Sequence, residues 1–527
     1  MNNTICDTIK LTLPPGYNTI FVKLIERFIR MANRLAKLIY AKPVLTVLIL
    51  LLLLMYFPLF GHLGNLSIRI WDEARVTMNA YEMWRSGDLL VTKYLGKPDL
   101  WNTKPPLLIW IQSFFLNFID NLELAVRLPS ALAGSATILL VYFFVIKQTK
   151  SVVTGLIAAL VLLSSRGYIN IHGTRTGDYD ALLVFFTTLS CLMFWLFIEN
   201  KRPVNLYIFF ISLALGVLTK SISALLFLPA LMMYVIYRKK IADLLKNNHF
   251  YFGSVIFIGI TIGFYLLREY AAPGYLKAVS ENELLGRYLN VIEFHNEPFR
   301  FYYDQLLKYR YKDYFLLILP GALAGLFLLK DQRIKKLTIF VILLIVSYFM
   351  IISMGKTKLS WYDLPMYPFF AIVVSFVFSY LLQIRNQLPL KGIYRKIGGI
   401  IILLSIVVFL TDMMTIITKQ SYKPQDDYWE KAEYTLPYYL RDALQGKHDL
   451  KNINVIYDGY NAMIWPYIYK LQDQGINISL KELTRLNTDD QVISYQPKLI
   501  ESLNKKFDVE IMRKGDKIIT YKLLKRK

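Results

Sequence analysis

Cysteine is nearly missing from this chain: Cys6 and Cys191 are the only two in 527 residues. One lies in the N-terminal segment and the other inside an apolar run, which excludes a disulfide framework, an iron–sulfur cluster and a thiolate zinc site. There is no glycine-rich phosphate loop, no internal repeat and no low-complexity tract. Charge is absent from the run Pro43 to Phe60, and no small-residue cleavage motif follows it. That run is therefore read as a retained membrane helix and not as a signal peptide. Acidic residues are scarce, 38 against 61 Lys and Arg, for a formal charge of +23. In a soluble chain this excess would suggest nucleic acid. Here most positive charge flanks apolar runs on one side, so no nucleic-acid partner is expected.

What the chain has in quantity is apolar sequence. Hydrophobic residues make up 55% of it, in runs approaching the roughly 20 residues a helix needs to cross a bilayer. About eleven spans are expected, near 43–60, 124–146, 151–169, 179–198, 204–219, 221–237, 250–267, 314–329, 337–353, 364–383 and 397–418. Basic groups at Lys147/Lys150, Lys201/Arg202, Arg238/Lys239/Lys240, Lys330/Arg333/Lys335/Lys336 and Arg385/Lys391/Arg395/Lys396 fall in alternate short loops. The positive-inside rule puts these loops and the N-terminus in the cytoplasm. Within residues 20–41, Phe21, Leu24, Ile25, Phe28, Ile29, Leu35 and Ile39 share a face opposite Lys23, Arg27, Arg30, Arg34 and Lys37. Such a helix is expected to lie on an anionic lipid surface, with a cytosolic partner as the alternative.

The other side receives a loop over 61–123, a second near 268–313 and a segment from 419 onward. In that last segment Asn454–Tyr457, Val509–Met512 and Ile518–Tyr521 read as strands, and Ala462–Leu471 and Pro497–Leu503 as helices. Lys514 to Lys517 reads as a hairpin turn. The expected fold is mainly α: a polytopic helix bundle with outer juxtamembrane helices and a small α/β domain outside the membrane. Its parts are a cytoplasmic basic segment (1–42), a membrane domain (43–418) and an extracytoplasmic domain (419–527).

Positive-inside bias leaves the outer charges unexplained. Asp72, Glu73, Arg75, Lys104, Arg175, Asp178, Asp180, Lys220, Arg287, His295, Lys356 and Lys358 gather there, many at the ends of apolar runs. Ionisable groups at that depth are costly unless they pair or serve a pathway. Carboxylates on separate loops with several cations suit an anionic amphiphile with a reactive carbon, such as a lipid-linked sugar phosphate. Its phosphate leaving group needs no general acid, whereas the acceptor hydroxyl needs a base, a role open to Asp. Fixed Lys or Tyr donors stabilise the departing phosphate. One cation at about 4 Å contributes about 4 kcal/mol at an effective dielectric near 20, before desolvation.

The motifs narrow this further. Trp71-Asp72-Glu73-Ala74-Arg75, Tyr81-Glu82, Ser86-Gly87-Asp88, Gly96-Lys97-Pro98 and Lys104-Pro105-Pro106-Leu107 follow one another in the first outer loop. This order resembles the group of aminoarabinose lipid A transferases and protein O-mannosyltransferases, multi-span glycosyltransferases of the C superfamily. Ala125 to Ser130, Tyr179-Asp180-Ala181-Leu182-Leu183 and Gly216 to Lys220 are similar to later family motifs, with Ser221 in place of a glycine. Asn282 to Tyr303, holding Arg287 and His295, resembles the large middle loop. Lys356 to Pro365 resembles a Lys-Leu-Pro-x-Tyr-x-Leu-Pro signature, with Ser360 in place of a proline.

The resemblance implies that Asp72 is the principal catalytic carboxylate, with Glu73 beside it and Asp180 as the second acidic residue of the cavity. It implies that Lys104 and Tyr362 contact the carrier phosphate. Lys356, Lys358, Lys220, Arg75 and Arg287 are further substrate-binding candidates. His295 is another, although a lone histidine more often serves structural hydrogen bonding. Asp178 has no family counterpart and is read as solvating its loop. Where the lipid A branch carries an acid before the phosphate-binding lysine, this chain has Thr103, so neither metal nor other cofactor is expected. The expected partners are a polyprenyl-phosphate sugar, an extracytoplasmic acceptor (lipid A, another glycan or a protein) and membrane lipid. The expected location is the inner membrane, and inversion at the anomeric carbon is implied. A flippase for lipid-linked intermediates would instead need ionisable residues near span centres and related halves, and neither is visible.

Overall fold

The computed structural model describes residues 42–284, 286–289, 291, 295–387, 411–412, 414–419, 431–447, 449–514 and 518–527. The amphipathic segment 20–41, the greater part of the run 397–418 and the turn residues 515–517 lie outside the described residues. Two units divide between Tyr56 and Phe57. The described part of the first is most of α1 (Pro43–Phe60), an uncharged helix with Leu45, Leu50, Leu53 and Tyr56 exposed.

Among the described residues, seven helices are long and apolar enough to cross a membrane, or eight if a bent pair is one span. Five are α1, α4 (Leu122–Thr149), α6 (Asp180–Asn200), α9 (Asn248–Ala271) and α10 (Gln332–Met354). The others run over Pro203–Leu225, which contains α7 (Pro203–Lys220), and Ser360–Ile384, which overlaps α11 (Tyr367–Gln387). Before α4 come α2 (Asp72–Ser86) and α3 (Leu107–Leu116), and α5 (Val152–Leu163) and α8 (Leu228–Tyr237) intervene among the spans.

Three expected spans appear in shortened or bent form. Helix α5, expected to run to 169, stops at Leu163; its 12 residues reach about 18 Å against a hydrocarbon core of about 30 Å. Beyond it the chain turns, and Gly167 lies so close to the Tyr367 hydroxyl that a Cβ would sit 2.1 Å from it. The run 221–237 opens at Ser221, whose φ of +49° interrupts the helix, and resumes as α8. The span expected near 314–329 is the second limb of a pair, Phe301–Arg310 and Phe315–Leu328, bent by 111°.

Charge separates the two ends of the bundle. At one end, Glu199 accepts from Arg238 at 2.7 Å and lies 3.3 Å from Lys336. Arg333 donates to Gln148 there at 2.7 Å. The other end receives α2, α3 and the loop 164–179, and holds Asp72, Asp180, Lys220 and Tyr362.

The C-terminal region after α12 (Lys431–Leu444) folds around a five-stranded sheet. Its elements are β3 (Ile453–Val455), α13 (Trp465–Asp473), β4 (Ile478–Leu480), β5 (Gln491–Ser494), α14 (Pro497–Lys506), β6 (Phe507–Lys514) and β7 (Ile519–Arg526), numbered after a short β1–β2 pair (Lys93–Tyr94, Lys97–Pro98). The strand order is β4-β3-β5-β7-β6, with β3 parallel to β4 and β5, and β7 antiparallel to β5 and β6. Side chains alternate across the sheet as strand geometry requires. Val492 joins Leu503, Phe507 and Leu523 on one face, and Ile493 joins Ile453, Val455 and Ile468 on the other. That second face packs against Ile68, Ile70, Ala74 and Tyr81 of the first outer loop. Strands β4 and β5 have no counterpart among the expected elements, because three or four residues with interspersed Ser and Gln carry too little pattern to be read alone.

Candidate active site

Helix α2 begins at Asp72 without a side-chain cap, and the residue before it, Trp71, adopts φ +67°. A non-glycine residue with positive φ is a strained start. It separates the two acids. Asp72 is 59% exposed at its side chain, whereas Glu73 is 1% exposed. Both Glu73 oxygens are engaged: Oε1 accepts from Arg127 Nε at 2.7 Å and from the Gly177 amide at 2.8 Å. Oε2 accepts from Arg127 Nη2 and the Arg69 amide, each at 2.8 Å. Gly177 approaches closely enough because it has no side chain; a Cβ there would lie 2.8 Å from the Val126 carbonyl oxygen. Burial pushes the Glu73 pKa upward, but Arg127 and the two amides prevail and leave it below its ordinary value.

Arg75 forms a two-pronged pair with Asp99 at 2.7 Å and 2.7 Å and lies over the Tyr94 ring. Asp99 also accepts from Asn79 and the Asn102 amide, and Asn102 donates to Asn79 and to the Tyr179 hydroxyl, both at 2.8 Å. This network braces the loop carrying Lys104 against the start of α6.

Around Asp72 the fold assembles residues distant in sequence. His172 Nδ1 stands 3.9 Å from Asp72 Oδ2 and 3.2 Å from Asp178 Oδ2. The imidazole stacks on Trp361 with centroids 3.6 Å apart and planes 9° apart. Burial would lower the His172 pKa, but Asp178, helped by Asp72 and Asp180, raises it above the ordinary histidine value. Asp178 is therefore no solvated loop residue: it is buried, accepts from Thr176 Oγ1 at 2.5 Å and faces the imidazole. Next to it Asp180 accepts from Lys220 Nζ at 2.6 Å, with both side chains almost fully buried. Lys220 Nζ lies 5.2 Å from the Tyr362 ring centroid, and Lys104 Nζ 5.6 Å from that of Tyr179. Lys104 also stands 3.5 Å from Glu283 Oε1, which accepts from Thr103 Oγ1 at 3.3 Å.

Asp72, Asp180, Lys220 and Tyr362 thus share one region, and Lys104 flanks it through Tyr179. Lys358 stands apart, donating from Nζ to Gly355 O at 2.6 Å and Glu297 O at 2.9 Å. Its amide donates to the His295 carbonyl at 3.1 Å. Lys356 is exposed, with its amide on Tyr288 O. Arg287 lies on the short helix Gly286–Leu289, and its side chain is outside the described residues. Among the described residues, no group of three or more His, Cys, Asp and Glu is placed to hold a metal.

Sequence reasoning missed His172, Glu283 and the Arg310–Asp363 pair, 3.1 Å apart. His172 sits in a loop with no periodicity, and only its stacking on Trp361, 189 positions further along, brings it to Asp72. A histidine six residues before Asp178 is the one available signal.

Similar proteins are found both by sequence and by fold. A family model described as dolichyl-phosphate-mannose-protein mannosyltransferase matches residues 103–265, a stretch that includes Lys104, His172, Asp180 and Lys220. The undecaprenyl phosphate-alpha-4-amino-4-deoxy-L-arabinose arabinosyl transferase of Aeromonas salmonicida is 25% identical over 331 residues, 61% of this chain and 58% of that protein. A protein of Aquifex aeolicus is 26% identical over 343 residues, 63% of each chain. These matches span about three-fifths of the relatives' own length. In fold, ArnT from Cupriavidus metallidurans, solved with undecaprenyl phosphate bound, superposes with a TM-score of 0.65 at 13% identity, covering 90% of this chain and 97% of that one. The Archaeoglobus fulgidus oligosaccharyltransferase AglB, solved with an inhibitory peptide and a dolichol-phosphate, reaches 0.53 at 10% identity over 92% of this chain and 74% of its own. The chain therefore has the fold shared by ArnT and AglB, and its residues 103–265 match the dolichyl-phosphate-mannose-protein mannosyltransferase family model.

Proposed function

We propose that this protein is a membrane glycosyltransferase that moves a sugar from a polyprenyl phosphate to a hydroxyl acceptor outside the cytoplasm. The observation that carries the reading is Asp72: an exposed carboxylate beside His172 and the buried Asp178, Asp180 and Lys220, with Tyr362 and Lys104 at the margin. Asp72 takes the acceptor proton as general base. The acceptor oxygen then attacks the anomeric carbon on the face opposite the phosphate. The carbon–oxygen bond to phosphate breaks, its electron pair stays on the phosphate oxygen, and the sugar is inverted. Lys104 contributes charge and Tyr362 a hydroxyl to the leaving phosphate, as fixed donors placed before the charge develops. Lys220, paired with Asp180, stands beside Tyr362 and contributes N–H donors there. The site and the C-terminal domain face the periplasmic side of the inner membrane.

The test uses the full chain in lipid nanodiscs with undecaprenyl phosphate carrying mannose or 4-amino-4-deoxy-L-arabinose. Release of undecaprenyl phosphate that depends on an added glycan, lipid A or peptide acceptor is expected for one of the donors. Asp72→Asn is nearly isosteric and cannot act as a base, so turnover should fall roughly 100-fold or more. Near-normal turnover in well-folded Asp72→Asn would remove the carboxylate from the mechanism.

A further inference from the structure

The residue that aims Asp72 is itself held from the other end of the chain. Trp71 carries the positive φ of +67°, and two partners meet its backbone oxygen. One is the Arg75 amide at 3.0 Å, the first hydrogen bond of α2. The other is the hydroxyl of Tyr460, also at 3.0 Å. The Tyr460 ring stacks on the Trp71 indole with centroids 4.7 Å apart and planes 26° apart. Its neighbour Asn461 faces the Tyr94 hydroxyl at 3.5 Å, beside the ring that Arg75 covers. The same sheet domain is fastened to the first outer loop elsewhere. Tyr467 accepts from the Ile68 amide and donates to Glu123 at 2.7 Å, and Tyr81 donates to Asp473 at 2.8 Å. Those fastenings account for docking. The Tyr460 contact adds something they do not: it acts on the one strained peptide immediately before Asp72.

We propose that Tyr460 is a positioning residue for Asp72, acting through Trp71, so that the C-terminal domain completes the active site. A strained φ persists only where surrounding contacts over-determine it. Without the hydroxyl, the Trp71–Asp72 peptide can relax, rotating the first turn of α2 and displacing a carboxylate that must lie within hydrogen-bond reach of the acceptor. Arg75 and Glu73 in the same turn are held by Asp99 and Arg127, whereas the Trp71 carbonyl next to Asp72 is the group that Tyr460 holds. The proposal rests on Asp72 being the base, and the experiment separates the two.

Tyr460→Phe keeps the stack and loses the hydroxyl; Tyr469→Phe, at a hydroxyl 3.3 Å from Glu82 in the same interface, serves as the docking control. Both are made in the full chain, alone and with Asp72→Asn, and assayed with the undecaprenyl-phosphate sugars above. Tyr460→Phe should lower kcat roughly five- to ten-fold, the scale of one lost hydrogen bond, with KM for the donor unchanged. In the Asp72→Asn background it should have no further effect, because residues acting as one unit are not additive. Amide exchange over residues 71–76 should quicken in Tyr460→Phe and stay at the wild-type rate in Tyr469→Phe. Full turnover and unchanged exchange in Tyr460→Phe overturn the proposal, as does an equal loss in both tyrosine variants, which would mean docking alone. If Asp72→Asn itself turns over normally, the reading of the base fails, while the exchange measurement still decides whether Tyr460 holds the turn.

Discussion

Replacing Glu73 with glutamine should weaken the fold and leave the chemistry largely intact, the opposite of Asp72→Asn one residue earlier. The structural basis is the number of N–H groups converging on Glu73: two from Arg127, one from Arg69 and one from Gly177. Glutamine preserves the length and one acceptor oxygen, but its amide nitrogen then faces donors. Breaking a buried ion pair from one side costs about 3–5 kcal/mol. Arg127 keeps three carbonyl partners, Leu63, Leu66 and Ser67, which points to the lower end, about 3 kcal/mol. Thermal melting in detergent should show a clearly lower midpoint at neutral pH, with turnover per folded molecule retained at low temperature. The pH dependence follows from the depressed Glu73 pKa. A carboxylate held below its ordinary 4.5 stabilises fully above that value and loses its contribution as pH falls through the folded value. Wild type and Glu73→Gln should therefore converge in acid. Unchanged melting, with turnover lost as completely as in Asp72→Asn, would refute the reasoning and return Glu73 to the catalytic apparatus.

The raised His172 pKa makes its imidazolium stabilising at low pH, with the contribution lost as pH rises through the folded value. His172→Gln removes a positive neighbour of Asp72, so the acid limb of a pH–rate profile between about pH 5 and 9 should move to higher pH; an unmoved limb would exclude that electrostatic role. If Lys104 binds the carrier phosphate as proposed, its neighbour Glu283 would compete with that anion, so Glu283→Gln should strengthen undecaprenyl phosphate binding and Lys104→Met should weaken it at least about ten-fold, read by titration in nanodiscs. Equal affinities in all three proteins would dissociate Lys104 from the phosphate. A reporter active only outside the cytoplasm, fused after Lys527, should be active; silence in a stable fusion would reverse the orientation.

Much of the bundle is legible in the amino-acid sequence, because a bilayer imposes length and apolarity on each crossing helix independently of its neighbours. Pro43–Phe60, Leu122–Thr149 and Asp180–Asn200 stand where the apolar runs put them. Val152–Leu163 and Leu228–Tyr237 fall short of the spans expected for them, because a turn at Gly167 or Ser221 depends on what lies opposite it. The expected C-terminal strands fall within β6 or overlap β3 and β7, whereas β4 and β5 exist only through pairing with neighbouring strands.

For the site, the chain alone places acids and cations on one set of loops but does not say which of them are already engaged. Asp72 and Glu73 are neighbours of identical charge, and only the approach of Arg127 and Gly177 buries one as a structural clamp while the other is exposed at the surface. Asp178 reads as solvent-facing along the chain, yet it lies beside His172, which stacks on a tryptophan from a distant loop. Hydropathy acts locally and along the chain, so sequence by itself determined that the protein is a mainly helical, multi-span membrane protein. The partner of many charged groups depends on packing between segments far apart in the chain, and that was decided by tertiary structure.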